Sequence, residues 1–214
     1  MTKFEILQIA KPILFNTEMV HAILDGRKTQ TRRIIKQNTS TILSSPCRLN
    51  HPELSDNHMI EKLCLPRYGC GNYLYVRETW FYEYHMHDLT AGEPDLPNGK
   101  YSHRYIYRAT NPGYPVYVGV CAGGWRPSIH MPKEAARIFL RVKAVRAERL
   151  QDIDVASCVK EGVLWDGYPN AWTVEAKPAF IELWNSTVKK SNIEKYGWNA
   201  NPWVWVYEFE RVEL

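Results

Sequence analysis

The segment Trp203-Val204-Trp205-Val206-Tyr207 is apolar at every position before it alternates at Glu208, Phe209 and Glu210. A strand that is apolar on both faces must be covered on both faces, so it belongs inside a sheet with packing above and below. The predicted strand runs from Trp203 to Val212 and closes the chain. Around it the sequence has to supply other strands and covering helices. A chain of 214 residues is long enough to do so as one domain, 1–214.

The other elements follow from periodicity and punctuation. Pro12 to Phe15 reads as a short extended entry. Thr17 can cap a helix to about Asp25, with Met19, Val20, Ile23 and Leu24 as its buried stripe. Gly26 sits where that helix needs a left-handed residue to stop. Tyr73 to Trp80 and Tyr101 to Arg108 read as strands, with a turn at Asn111-Pro112-Gly113 and a break at Gly123-Gly124. Arg137 to Leu150 is the longest strand. Ile138, Leu140, Val142 and Ala144 share one parity and Val145 and Ala147 the other, which predicts a β-bulge. Asp152 or Asp154 caps a short helix ending at Gly162, and Val174 to Val188 forms another, with Phe180, Leu183 and Trp184 inward and Pro178 in its first turn. Two stretches, about 38–66 and 85–100, read as irregular insertions. The sum is an α+β fold, a closed or nearly closed barrel flanked by two or three short helices.

Chemistry concentrates just past the first of these helices. Arg27, Lys28, Arg32 and Arg33 put four cations in seven residues, interleaved with Thr29, Gln30 and Thr31. In an extended chain, Lys28, Gln30 and Arg32 share one face and Thr29, Thr31 and Arg33 the other. One cation near a helix C-terminus would simply relieve its dipole, worth ~0.3–1 kcal/mol. Four among hydroxyls offer charge and donors to a phosphate or a base edge. The whole chain is only mildly basic, with net charge +4 and pI about 8.7, which permits an anionic partner without requiring one. Its many aromatics, 13% of residues, serve either a β-rich core or stacking on bases.

Two carboxylates stand in awkward places. Glu161 falls at the negative end of a short helix, so it either finds a basic partner or lies solvated at the surface. Glu78 shares parity with Leu74, Val76 and Trp80, so it needs a partner such as Arg33 or Lys28, unless the strand ends at Val76 and leaves it exposed. The Pro-bounded stretch Trp125-Arg126-Pro127-Ser128-Ile129-His130-Met131-Pro132 is either a ligand-contacting loop or a rigid connector. His85, His87 and Asp88, and the set Cys47, His51, His58, Cys64 and Cys70, match no zinc spacing, and no CxxC pair occurs. No phosphate-binding loop, dinucleotide fingerprint or serine-hydrolase elbow is present. No metal or cofactor is expected. Five unpatterned cysteines argue against a disulfide framework. The opening residues carry no signal-peptide core and no apolar run nears ~20 residues, so a cytoplasmic, membrane-free protein is expected.

Gly26, Lys28, Thr31 and Arg33 match in spacing the Gly-x-Lys-x-x-Thr-x-Arg motif that follows the first helix of the ASCH family, which has a PUA-like β-barrel fold. The chain resembles the larger, often phage- or prophage-encoded ASCH-like proteins also through Leu74 to Trp80, Trp125 to Pro132 and the Trp-rich final strand. The resemblance implies RNA or a modified nucleoside as partner. It places Arg32, Arg33, Arg77, Glu78, Trp80, Arg126, Ser128 and His130 among the expected contacts. Small members of the family remove an acyl group from the exocyclic amine of cytidine, using a Lys, a Thr three residues later and a Glu. Lys28, Thr31 and Glu161 match that set. Thr31 would attack the amide carbonyl and Lys28 take its proton, with Arg27, Arg32 and Arg33 lowering the Lys28 pKa and Glu161 raising it. Glu161 would otherwise orient a water or the base amine. The implied activity is thus an amidohydrolase, with a non-catalytic RNA- or nucleotide-binding module and a ribonuclease as alternatives.

Overall fold

A computed structural model describes residues 1–86, 101–113, 124–163 and 176–214, with 82–86 and 101–104 given by their backbone. Helix α1 (Lys3–Ile9) is held by a capping box between Thr2 and Glu5. Strand β1 (Lys11–Leu14), helix α2 (Thr17–Leu24) and strand β2 (Gln30–Ile34) follow. Helices α3 (Thr39–Leu43), α4 (Pro46–Leu49) and α5 (Asp56–Leu63) precede strands β3 (Tyr73–Arg77), β4 (Trp80–Met86) and β5 (Tyr101–Tyr107). Strand β6 (Phe139–Arg149), helices α6 (Val155–Lys160), α7 (Ala176–Thr187) and α8 (Ile193–Tyr196), and strand β7 (Trp203–Val212) complete the order.

Five strands form one mixed sheet in the order β1-β3-β6-β7-β2, and β4 pairs with β5 separately. Only β1 and β3 run parallel. Strand β7 lies inside the sheet between β6 and β2, where its two apolar faces require it. Trp203, Trp205, Tyr207 and Phe209 enter one core with Ile13, Phe15, Tyr68 and Leu140. Val204 and Val206 enter another with Phe180 and Trp184 of α7. A third apolar cluster joins Ile6 of α1 to Tyr75, Trp80 and Phe139. The predicted bulge falls between Val142 and Ala144.

The fold is α+β, but the expected closed barrel is replaced by an open sheet, with β1 and β2 as the ends of the ladder among the described residues. Strand β1 has only four residues, and Pro12 removes one donor, so it makes a poor second ladder. Side chains span the gap instead. Arg33 Nη2 donates to the Leu14 carbonyl at 2.8 Å and the Tyr68 hydroxyl to the Pro12 carbonyl at 2.6 Å.

Several boundaries also shift. Asn16, not Thr17, caps α2, its Oδ1 accepting from Met19 N at 2.8 Å. The strand expected over 73–80 stops at Arg77, and Trp80 starts β4. The stretch 38–66 is helical rather than irregular. Asn38, Ser45 and Ser55 each cap a short helix. Of these, α5 buries Met59 and Ile60. It also reaches β6 where the β3 partnership has ended. Asn57 Nδ2 donates to the Ala147 carbonyl at 3.0 Å and Glu61 Oε1 accepts from Ala147 N at 2.8 Å. Residues 87–100 of the second expected insertion, with His87 and Asp88, lie outside the described residues, as do Gly123, Val174 and Cys121. His85 belongs to β4. No helix among the described residues is long and apolar enough to cross a membrane.

Candidate functional site

Hydrogen bonds from Lys28 N to the Ala22 carbonyl (2.8 Å) and from Thr29 N to the Lys160 carbonyl (2.9 Å) wedge the start of the basic segment between α2 and α6. Gly26, at φ +75°, makes the turn into it. Strand β2 then sends alternate side chains to opposite faces, as its sequence predicts.

On the α6 side lies a buried ionic network. The Lys28 side chain has no exposed surface. Its ammonium donates to the Gln30 carbonyl (2.8 Å), the Glu161 carbonyl (2.6 Å) and Glu161 Oε2 (2.9 Å), which uses all three protons. Arg32 Nη1 donates to Glu161 Oε1 at 2.9 Å, and its Nε to Glu148 Oε1 at 2.9 Å. Arg146 bridges Glu148 and Glu208, and Gln30 Nε2 meets Glu208 Oε1 at 3.0 Å. Asp154 caps α6 through Ser157 N, and Glu161 is the residue on which that helix closes. The basic partners offset its position at the negative end of the dipole. Being 4% exposed, Glu161 is no solvated surface carboxylate. Burial pulls the Lys28 pKa below its ordinary value. Glu161 opposes this, while Arg33 and Arg32 add to it.

On the opposite face the chemistry is left open. Thr31 is buried beside Tyr207 of β7, and its hydroxyl makes no hydrogen bond among the described residues. The structure therefore joins Lys28 to Glu161 but not Thr31 to either. Arg33 is only partly buried. It makes one hydrogen bond, to Leu14, lies 5.4 Å from the Phe15 ring centre, and forms no ion pair among the described residues. It lines two adjoining clefts in the gap between β1 and β2. The larger, about 570 Å³, includes Lys36, Arg67, Tyr68, Trp205 and Tyr207. The smaller, about 320 Å³, includes Phe15, Asn16, Thr79, Pro127 and Ser128. No described residue lining either is acidic. Burial pushes the phenol pKa values of Tyr68 and Tyr207 upward, so both rings stay neutral beside Arg33.

The remaining expected contacts, Ser128 excepted, sit apart from these clefts. Arg77 Nε donates to the Met131 carbonyl at 2.9 Å. Glu78 is 1% exposed and takes a two-pronged contact, both bonds 2.9 Å, from Arg137 rather than from Arg33 or Lys28. Lys28 is committed to Glu161, Arg33 points into the gap between β1 and β2, and Arg137 precedes the strand paired with β3. Trp80 is buried, bridged through its backbone to Arg126, whose guanidinium lies 5.3 Å from its ring. Ser128 reaches the smaller cleft, and His130 is exposed at the end of the same short turn.

Sequence reasoning misses Glu148, Arg137, Arg67 and Tyr68. For Glu148 there is a signal, because Arg146 and Glu148 put opposite charges on one face of β6, with Glu208, opposite Ala144, diagonal to Arg146 across the ladder. Among the described residues no three His, Cys, Asp or Glu side chains converge to hold a metal, and Cys47, Cys64, Cys70 and Cys158 are free thiols. Compared with known proteins, the chain matches no family model, no curated protein and no solved structure.

Proposed function

We propose that the chain is an ASCH-type, PUA-like domain that binds RNA or a modified nucleotide, with the ligand's phosphate on Arg33 in the gap between β1 and β2. The observation that carries this reading is Arg33 itself. A partly buried guanidinium with a single hydrogen bond, no ion pair among the described residues and no acid lining its clefts is an unfinished interaction that an anion completes. Lys36 and Arg67 extend the positive rim, and the buried rings of Tyr68 and Tyr207 form the cleft's apolar floor. Arg32 leaves the set of anion contacts, because Glu148 and Glu161 already occupy it. In a titration of labelled single-stranded RNA, Arg33→Ala is expected to weaken binding about tenfold or more and to lower the salt slope by about one. Circular dichroism checks that the variant keeps its fold. Equal affinity and salt slope in the folded variant would reject the proposal.

A second reading, an amidohydrolase on an acylated cytidine-type nucleoside, is favoured by one observation. The Lys28–Glu161 contact of 2.9 Å lies at the start of the strand on which Thr31 has an uncommitted hydroxyl. Lys28 would have to give up a proton to act as base, a change its burial promotes. Release of acetate from acetylcytidine, abolished in Lys28→Ala, is the result this reading expects. Turnover no faster than that variant's background counts decisively against it.

A further inference from the structure

We infer that the site accommodates an internal phosphodiester, with two nucleotides of a single strand lying on either side of Arg33. The inference rests on the nucleotide-binding reading above and adds the length of the ligand. Leu14, Arg33 and Thr187 line both clefts, so the two adjoin with the guanidinium at the waist between them. Each lobe, about 570 and about 320 Å³, lies within the range of pockets that hold a small ligand.

The two lobes differ in chemistry. The larger carries aromatic rings, Tyr68, Trp205 and Tyr207, with Lys36 and Arg67 at its rim. In the smaller, Phe15 sits with the uncharged polar residues Asn16, Thr79 and Ser128, and its one cation is Arg33. A terminal phosphate is close to a dianion at neutral pH and has one substituent to place. A diester is a monoanion with two substituents, one on each side. A single waist cation with base-sized space to both sides matches the diester. The second lobe has no charge of its own with which to hold another phosphate.

The full chain tests this by calorimetry with cytidylyl-cytidine, its deoxy counterpart and cytidine 5′-monophosphate. The ribodinucleotide is expected to bind at least about tenfold tighter than the mononucleotide, the gain from seating a second nucleotide. Ser128→Trp fills the smaller lobe from an exposed turn and is expected to bring that ratio to about one. Equal affinity in the unaltered protein, or a ratio unmoved by a folded Ser128→Trp, overturns the two-lobe inference and leaves the Arg33 reading standing. Binding of neither ligand in an Arg33-dependent way removes the nucleotide-binding reading itself. A deoxydinucleotide as tight as the ribodinucleotide supports the inference and assigns recognition to phosphodiester and bases. A weaker one also supports it and adds the 2′-hydroxyl.

Discussion

Replacing Glu161 with leucine is expected to destabilise the folded chain by about 3–5 kcal/mol, the usual cost of breaking a buried ion pair from one side. The carboxylate faces two cations, Lys28 at Oε2 and Arg32 at Oε1, and both side chains are almost wholly buried. Arg32 keeps Glu148, and Lys28 keeps the carbonyls of Gln30 and Glu161, but the ammonium loses its counter-charge. A sign in the pH dependence separates this cause from lost packing. Burial already lowers the Lys28 pKa, and Glu161 is the influence holding it up. In the variant it drops further, while the unfolded chain keeps the ordinary lysine value of about 10.4. Between the folded and unfolded values the unfolded state binds more protons, so stability rises with pH. The deficit of Glu161→Leu should therefore narrow as pH rises between the variant's folded Lys28 value and that of the unaltered protein, both below the ordinary lysine value of about 10.4. Urea unfolding at several pH values measures it. A deficit below ~1 kcal/mol, or one constant with pH, would mean that Lys28 and Glu161 are not coupled as their geometry requires.

An alanine at Gly162 is expected to cost about 2–5 kcal/mol. The residue has φ +85°, which alone costs a side-chain-bearing residue roughly 1–2 kcal/mol. An added Cβ would also lie 2.7 Å from Ala22 Cβ and 2.9 Å from Lys28 Cβ, and such overpacking typically adds about 1–3 kcal/mol. Gly26 is the internal control. Its φ is +75°, but nothing lies within 4 Å of a Cβ there, so Gly26→Ala bears the conformational cost alone. Denaturation midpoints of the two variants compare them directly. Equal losses would show that α6 does not approach Lys28 closely. A larger loss at Gly162 fits its position, where the helix supplying Glu161 turns away against the lysine it neutralises.

Features governed by nearest neighbours were legible in the sequence. The two apolar faces of β7, the bulge in β6, the turn at Gly26 and the opposite faces of Arg32 and Arg33 all follow from local spacing. Glu161's need for a basic partner was legible in the same way. Which cation answers such a need is a tertiary matter, and Glu78 shows it. Its strand parity announces a buried carboxylate, yet Arg137, which satisfies it, is 59 residues away. The helices of 38–66 escaped because two have only four or five residues and α5 buries just Met59 and Ile60, although Asn38, Ser45 and Ser55 mark their starts. Helix α1 was marked by Thr2 and Glu5 at capping-box spacing, but only Ile6 of its residues is buried, so its apolar stripe is too thin to read. The cleft has no local signature, since Arg33, Arg67 and Tyr207 come from three distant parts of the chain.

The contacts of α5 with Ala147 bear on how this sheet stays solitary. Past Val142, strand β6 has β7 on one flank and, among the described residues, no strand on the other. A bare flank of this kind is a template on which a second polypeptide adds itself, and proteins that leave one uncovered tend to aggregate. Asn57 and Glu61 occupy the carbonyl and the amide of Ala147 with side-chain groups that cannot propagate a ladder. Helix α5, anchored by the buried Met59 and Ile60, thus covers that flank at Ala147 against strand recruitment.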